Sequence, residues 1–534
     1  MTKVPSFHKP LWFALLVLSG VMVVELLCIL HLNDGHFTFT LDDAYIHLAL
    51  AMNINNGHYG INSNEFSSPS SSIVWPFLLS HIARFRIAPY LVLLLNFVMA
   101  LGTIVLYWRI LTPDRFDPMD KRDYRQKSIM LAVLLVLMIL VTNVVGLAYL
   151  GMEHSLQLLM SVLIVFGMIQ EIRGFGVSIW FLFAIVFAPL VRYECLALSA
   201  PAILFLAVRG YWAKSAATAT ILALLLAAFS LFLESLGLKW LPASVYGKSL
   251  VAFTGGSFDA LVGNLKTSLQ MRQGLGLVLV MLLLLYYGMN GNHKKENRLL
   301  AWLVAFSVFL HLLFGRYNWY NRYEIYIWTA SLLSLCYVYK EWVYGQLSAF
   351  GYYKSVAFAV VSGVLVGANY VFGVASIPQA ANNIYQQQYQ MHRFALIYNK
   401  PVAVNDIGYV SYRNPNYVLD LVGLASFKVL DLRMSNTNDA WMGQFVRGKD
   451  IKLIMIYDQF FRGIPASWKK LGDLLLGGEP VTAQYEKVSF YAVDCNAYRN
   501  INGLLEGFVK TLPAGVRFDF SSGVCASPQV GDIH

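Results

Sequence analysis

The chain has 534 residues, of which 57% are hydrophobic and only 13% are charged. A soluble globular protein of this length does not carry so large an apolar fraction, so the composition predicts a polytopic membrane protein. The net charge of +10 does not indicate a nucleic-acid partner. Much of it lies in short loops between apolar segments, where Lys and Arg mark the cytoplasmic side of a membrane protein.

The first apolar segment runs from Leu11 to Leu32, and its length of about 20 residues matches a bilayer. It follows Lys3 and Lys9, so we predict a cytoplasmic N-terminus. No small-residue cleavage motif follows the segment, which favours a retained anchor over a removed signal peptide. Further apolar segments recur at residues 72–87, 90–110, 128–149, 154–170, 176–191, 194–208, 215–236, 275–289, 299–314, 323–339 and 355–374.

Basic loops set the predicted topology. Loops at 209–214, 293–298 and 340–354 read as cytoplasmic, which places everything after about residue 375 on the opposite face. Twelve full crossings would instead return the C-terminus to the cytoplasm. We resolve this conflict in favour of the loops and predict about eleven spans, with residues 72–87 partial or re-entrant.

The last 160 or so residues differ in character, with intermittent hydrophobicity and frequent turn residues. We therefore predict a membrane domain over residues 1–375 and a soluble α/β domain over residues 376–534. Cys495 and Cys525 lie in this second domain and pair only if it faces an oxidising compartment, which the sequence leaves open. The β-type runs are Val402–Asn405, Tyr417–Leu421, Ile451–Tyr457 and Val488–Val493, and helical patterns cover 378–397 and 500–511.

Two adjacent acids, Asp42 and Asp43, follow the first predicted span and open an amphipathic helix near the membrane surface. Unpaired acids beside a bilayer are costly and usually functional. A carboxylate placed there is suited to removing a proton from a substrate hydroxyl. The alternative is a helix N-cap, in which the negative charge favours the helix N-terminus.

Other polar side chains fall at the same predicted membrane face. The loop after the acids, from Gly57 to Ser72, is rich in hydroxyl and amide groups that can bond a polyol, although it also fits an ordinary connector. An anionic leaving group such as phosphate needs cations around it, and acids suit activation of a hydroxyl. Together these residues favour group transfer from a lipid phosphate to an alcohol; they are His58, Glu153, His154, Arg192, Glu194, Tyr246, Lys248, Arg316 and Arg322.

A series of short motifs in this order resembles the GT-C superfamily of integral-membrane glycosyltransferases, and within it the bacterial cell-wall arabinofuranosyltransferases. The resemblance runs from about Phe37 to Leu424. Tyr193 stands where the family has proline, and Ala243 where it has asparagine. The motifs are Asp42-Asp43-Ala44-Tyr45-Ile46, Gly57 to Pro69, Gly151-Met152-Glu153-His154, Val191-Arg192-Tyr193-Glu194, Leu241 to Lys248, Val402 to Gly408 and Asp420 to Leu424.

The resemblance implies transfer of a single sugar from a polyprenyl-phosphate donor to a glycan or glycolipid of the cell envelope. It implies a bacterial inner membrane location, with the active site and C-terminal domain facing the periplasm. Asp42 is then the general base of a direct displacement that inverts the anomeric centre, and Asp43 orients it or the acceptor. Glu153 and Glu194 are candidates for the sugar hydroxyls; Lys248, Arg192, Arg316 and Arg322 are candidates for the phosphate.

No paired Cys or His motif indicates a metal site, so we expect no required cofactor, although the acids could bind a divalent cation. The C-terminal domain is expected to hold the acceptor glycan or to serve as a folding module. The alternatives to a monosaccharide transferase are a lipid-linked glycan flippase or other transporter, a glycan polymerase or ligase, and a non-enzymatic glycan-binding scaffold.

Overall fold

The computed structural model describes residues 8–114, 120–248, 257–317, 320–349, 351–435, 441–522 and 525. Seven helices in this part of the chain are long and apolar enough to cross a membrane. A bent pair, Tyr352–Gly363 and Gly367–Ala375, makes an eighth if it counts as one span. The seven are His8–Leu32, Ala88–Leu111, Lys121–Val141, His154–Phe175, Trp212–Ser235, Arg272–Met289 and Lys295–Phe314.

Shorter helices account for part of the difference from the predicted eleven spans, a count that is not confirmed. Ile179–Val191 and Leu196–Val208 have 13 residues each, and Trp75–Ala83 has nine. A 13-residue helix is about 20 Å long, which is less than the ~30 Å hydrocarbon core. Apolar composition alone does not separate such helices from full spans, because both bury apolar surface.

The N-terminal part contains further helices besides the seven long apolar ones. A π-helical turn, Glu171–Phe175, ends the fourth span, and a 3-10 turn, Tyr193–Cys195, joins two short apolar helices. The other helices up to residue 398 are Asp43–Asn55, Val144–Tyr149, Ala243–Lys248, Phe258–Gln270, Ile325–Ala349, Tyr352–Ala375, Ile377–Gln386 and Gln388–Tyr398.

The C-terminal region forms one six-stranded mixed sheet with the order β2-β1-β3-β5-β4-β6. β1 pairs in parallel with β2 and β3, and the other pairs are antiparallel. Strands β1 to β3 fall within the predicted β-type runs, and β5 overlaps its predicted run but begins one residue earlier; β4 and β6 were not predicted. The strands are β1 Val402–Val404, β2 Val418–Asp420, β3 Leu453–Ile456, β4 Lys469–Leu475, β5 Lys487–Ala492 and β6 Arg517–Phe520, and the helices are Gly408–Ser411, Phe427–Ser435, Trp441–Gly448 and Cys495–Val509.

The buried apolar residues form two large cores. The first joins the membrane helices, and the second joins the sheet to its own helices. The second core also contains Ile46 and Leu50 of the helix Asp43–Asn55, together with Phe229 and Leu233 from the end of a span. The sheet region is therefore seated on the ends of the membrane helices, on the side where Asp42 lies. Within this region Cys495 and Cys525 form a disulfide.

Candidate functional site

The two acids lie between an irregular segment and a helix. Thr40 is fixed by its backbone N–H, which donates to the Tyr149 carbonyl at 3.1 Å, and the helix Asp43–Asn55 begins three residues later. Asp42 occupies the N-cap position of that helix, but its side chain makes no capping hydrogen bond. Asp42 therefore stands at the N-cap position without capping the helix by a hydrogen bond, and its carboxylate is directed elsewhere.

The Asp42 carboxylate instead contacts the C-terminal region. One oxygen accepts a hydrogen bond from the Gly408 backbone N–H and the other from the Tyr409 N–H, each at 2.7 Å. A Cβ on Gly408 would lie 2.1 Å from the Asp42 backbone oxygen, so only glycine allows this approach. Asp42 thus joins the two parts of the chain, because its carboxylate belongs to one and both donors to the other.

Burial and a neighbouring acid perturb the titration of Asp42. Burial raises its pKa most, and the nearby Asp406 raises the pKa further, while the N–H donors of Tyr409 and Gly408 lower it. The net effect is a pKa well above the ordinary value. Burial likewise raises the pKa of Asp406 to about 6, although Gln388 donates a hydrogen bond to its carboxylate at 2.8 Å. A carboxylate with a raised pKa is a stronger base than one with an ordinary pKa.

Asp43 is held by a buried arginine. Arg322 Nη2 lies 2.8 Å from Asp43 Oδ2, and the Arg322 side chain is 1% exposed while that of Asp43 is 24% exposed. The same guanidinium donates to the Tyr323 hydroxyl at 3.1 Å and contacts the Met152 sulfur. The pair links the start of the helix Asp43–Asn55 to the segment just before the helix Ile325–Ala349, 279 positions away in the sequence.

A second ionic group surrounds Arg192. Its guanidinium contacts Glu153 Oε1 and Glu194 Oε1, each at 2.7 Å, and His47 Nε2 lies 3.3 Å from the other Glu153 oxygen. Glu153 follows Gly151, whose φ of +69° and close approach to the Phe39 ring require glycine. The group is almost fully buried, so its charges stabilise one another rather than being solvated.

Tyr323 connects the two ionic groups. Its ring lies 4.9 Å from the guanidinium carbon of Arg322, 5.6 Å from that of Arg192 and 5.8 Å from that of Arg316. Three cations at one aromatic ring place the predicted arginines in a single cluster. The structure therefore brings together seven of the predicted site residues: Asp42, Asp43, Glu153, Arg192, Glu194, Arg316 and Arg322.

Other predicted residues make local contacts. His58 Nε2 lies 3.1 Å from the Glu65 carbonyl oxygen, and its ring stacks on Phe66. Tyr246 packs edge-to-face against Phe427. His154 is buried and begins the helix that follows Glu153. Lys248 ends the helix Ala243–Lys248, and its side chain lies outside the described residues.

An apolar cavity of about 380 Å³ opens beside the ionic cluster. Glu194, His311 and Tyr326 supply its polar atoms, and the Tyr326 hydroxyl donates to the Glu194 carbonyl at 2.7 Å. The rest of the lining is mainly apolar and comes from two neighbouring membrane helices: Leu196, Ala197, Ala200, Leu310 and Phe314. The cavity thus places an apolar environment next to carboxylates and guanidinium groups.

Several residues of the cluster are absent from the predicted site. Asp406, Gly408 and Tyr409 come from the turn after β1, and His47 lies on the helix that Asp43 begins. The sequence contained one indication of these residues, an Asp-x-Gly sequence soon after a short apolar strand. Polar residues at the ends of neighbouring strands often meet at the edge of a sheet. The sequence did not show that this edge faces Asp42.

Comparisons with known proteins give a family model for one part of the chain and a similarity to a solved structure over most of it. Residues 382–491 match the model of a domain of unknown function (DUF8728). The matched segment contains Asp406, Gly408 and Tyr409, the residues that meet Asp42. No curated protein matches the chain.

Among solved structures, the chain is similar to the oligosaccharyltransferase of Archaeoglobus fulgidus, a crystal structure in complex with Zn and sulfate. The sequence identity is 10% and the TM-score is 0.42, and the match covers 82% of this chain and 67% of that one. The apolar helices and the terminal sheet define a multi-pass membrane protein with a small C-terminal α/β region.

Proposed function

We propose that the protein is a GT-C-type glycosyltransferase that moves a single sugar from a polyprenyl-phosphate donor to a hydroxyl of a cell-envelope glycan or glycolipid. The observation that carries this proposal is the position of Asp42. Its carboxylate lies where the membrane helices meet the C-terminal region, next to Asp43 and a cluster of arginines. The order of motifs that resembles the superfamily supports the same reaction.

The proposed step is a direct displacement. The acceptor oxygen attacks the anomeric carbon while Asp42 takes its proton, and the bond from that carbon to the phosphate oxygen breaks. The electron pair leaves with the lipid phosphate, and the anomeric centre is inverted. A base with a raised pKa holds the transferred proton more firmly, which suits Asp42 to this role.

The other carboxylates are proposed to position the substrates. Asp43, fixed by Arg322, orients the acceptor or Asp42. Glu153 and Glu194 bind sugar hydroxyls, because a carboxylate oxygen accepts more than one hydrogen bond and the contacts with Arg192 and His47 use only part of that capacity. His47 holds Glu153 in place from the opposite side.

The phosphate is proposed to bind Arg316 and Lys248. Arg192 and Arg322 contact protein carboxylates, so much of their charge is already balanced. Arg316 is exposed and makes no ion pair with any residue that the structure describes. An exposed cation at the rim of the cluster can reach an incoming lipid phosphate, with Arg192 and Arg322 adding to the local positive potential.

The cavity beside Glu194 is proposed to hold the first part of the prenyl chain. Its apolar lining suits an isoprenoid, and its polar end lies at the ionic cluster. The C-terminal region is proposed to bind the acceptor, with its disulfide favouring an oxidising compartment such as the periplasm. In that arrangement the protein resides in a bacterial inner membrane.

No divalent metal takes part in the proposed step. Among the described residues there is no group of three or more His, Cys, Asp or Glu side chains that could hold a metal ion. We expect transfer to persist when a chelator such as EDTA is present. Loss of transfer in EDTA, with recovery on adding a divalent cation, would add a metal to the mechanism.

The decisive experiment is transfer by purified protein in nanodiscs, using a panel of polyprenyl-phosphate pentoses and hexoses with mass-spectrometric detection. Asp42→Asn should abolish transfer and retain donor binding. Asp420→Asn is the matched control, because Asp420 also accepts two backbone N–H bonds at 2.7 Å, but from donors in the loop that directly follows it. Near-normal transfer by Asp42→Asn would remove Asp42 as the base, and transport without transfer would favour a flippase.

A further inference from the structure

Two large apolar cavities lie between membrane helices, on either side of the helix Lys121–Val141. The first has a volume of about 630 Å³ and the second about 800 Å³. Both are lined by this helix and by Tyr352–Ala375, and Leu137 contributes to both. The first cavity is completed by Ile325–Ala349 and the second by His8–Leu32.

The second cavity has the shape expected of an acyl-chain site. Its lining runs along Lys121–Val141 from Arg125 to Leu140, a distance of about 22 Å at 1.5 Å per residue. That length exceeds half of the ~30 Å hydrocarbon core, so it accommodates a lipid chain from one leaflet. Apart from residues near Arg125, the walls are aliphatic.

Cations lie at one end of each cavity. Lys9 and Arg125 line the second cavity and Lys354 lines the first, whereas no acidic residue lines either. Tyr352 packs against the cluster of Met130 and Tyr344, which brings the end of the helix that carries Lys354 next to the helix that carries Arg125. Polar groups that can donate hydrogen bonds lie among them, including Ser128 and Gln346.

Among the described residues, these cations are not balanced by protein carboxylates. Nearby Lys127 pairs with Asp123 at 2.9 Å. In contrast, Lys9, Arg125 and Lys354 make no ion pair within the described part of the chain. The Ser128 hydroxyl is buried at the second cavity and has no hydrogen-bond partner in that part. Unbalanced cations and a buried hydroxyl at the polar end of an apolar cavity fit a phosphate headgroup.

We propose that the two cavities form a binding site for an anionic phospholipid, with its phosphate at Lys9, Arg125 and Lys354 and its acyl chains in the apolar cavities. The site is separate from the proposed active site. Lys9 is the second residue of the helix His8–Leu32, and Asp42 follows the other end of that helix, which lies about 35 Å away at 1.5 Å per residue. The bound lipid fastens the helices Lys121–Val141 and Tyr352–Ala375 together and stabilises the fold.

The test compares lipids in nanodiscs of phosphatidylcholine that contain increasing fractions of phosphatidylglycerol. Native mass spectrometry measures retained lipid, and thermal unfolding measures stability. The wild type should retain phosphatidylglycerol selectively and unfold at a higher temperature as its fraction rises. Equal retention of both lipids, or the same stabilisation by inorganic phosphate alone, would overturn the proposal.

A matched pair of variants separates a defined site from diffuse charge attraction. Arg125→Gln with Lys354→Gln should weaken phosphatidylglycerol binding about 30-fold, given the usual contribution of each basic side chain near an anionic membrane. Lys294→Gln with Lys295→Gln removes the same charge from residues that line neither cavity, and should have little effect. Equal loss in both variants would refute a specific site.

A steric variant provides an independent check. Ala132 lines the second cavity at mid-depth, and Ala132→Phe should fill part of it without changing the charge. We expect this variant to retain less phosphatidylglycerol and to lose the lipid-dependent rise in unfolding temperature. Unchanged retention in a folded Ala132→Phe protein would mean that the acyl chain does not enter this cavity.

Discussion

Gly408 is the position where a single added methyl group tests the contact between the two parts of the chain. Its Cβ would lie 2.1 Å from the Asp42 backbone oxygen and 2.6 Å from Asp42 Oδ2. Gly408 is not among the glycines with positive φ, so Gly408→Ala introduces no backbone strain of its own. Any effect of the substitution therefore comes from the steric contact.

The size of the effect follows from this geometry. Carbon and oxygen atoms settle at roughly 3.4 Å or more, so the turn after β1 and Asp42 must separate by over ~1 Å. That movement stretches two charge-assisted hydrogen bonds, each contributing about 1.5–3 kcal/mol, so we expect a loss of roughly 2–5 kcal/mol of docking stability. A misplacement of about 1 Å at a catalytic group can reduce the rate about 100-fold.

The assay is sugar transfer in nanodiscs, measured well below the unfolding temperature, together with donor affinity. Gly408→Ala should lose most transfer while donor affinity is kept. Gly503→Ala is the control: an added Cβ there meets nothing within 4 Å, and helix propensity should stabilise it by about 0.5–1 kcal/mol. Wild-type transfer by Gly408→Ala would show that the C-terminal region does not position Asp42.

Four further results are expected. Asp406→Asn removes a like charge that raises the pKa of Asp42, so the acid limb of the pH–rate profile should move to lower pH; an unmoved limb would exclude this coupling. In the wild type, Asp406, with its pKa raised to about 6, should lower stability as pH rises from about 4 to 6, and thermal unfolding of Asp406→Asn should lack that contribution. Arg192→Met should destabilise the fold by about 3–5 kcal/mol, because it leaves Glu153 buried without its cation. Adding Glu153→Gln to the same chain should restore part of this stability. Additive losses in a double-mutant cycle would contradict the pairing of Arg192 with Glu153. Cys495→Ser should lower unfolding stability by roughly 2–4 kcal/mol, and an unchanged unfolding temperature would show that the disulfide contributes nothing.

Some features could be predicted because they depend on local sequence. Long apolar segments indicated membrane helices. Short β-type runs separated by turn residues indicated most of the strands of the sheet. Arg192 and Glu194 are two residues apart, so their pairing was accessible from the sequence. β4 was missed because Lys469 and Lys470 open it and Gly472 interrupts its pattern at a bulge.

Other features depend on contacts between distant residues. The Asp42 carboxylate accepts hydrogen bonds from donors 366 and 367 positions away. The N-cap alternative considered only neighbouring residues and therefore offered its own helix as the partner. The ion pair between Arg322 and Asp43 could not be predicted for the same reason, because the two residues are 279 positions apart in the sequence. A pattern of residue types predicted which side chains matter, whereas only the fold shows which of them are already paired.

The position of Arg192 has a consequence for membrane insertion. It lies at the turn between two 13-residue apolar helices, Ile179–Val191 and Leu196–Val208, and the Ser199 hydroxyl donates to the Ile185 carbonyl across this hairpin. An arginine at the centre of an inserting helix costs about 2.5–3.5 kcal/mol on the translocon scale. Because Glu153 precedes the hairpin in the chain, it is synthesised and emerges from the ribosome before Arg192. The Glu153 carboxylate is therefore present before Arg192 is made. The hairpin can then insert into the membrane next to the carboxylate that pairs with its arginine.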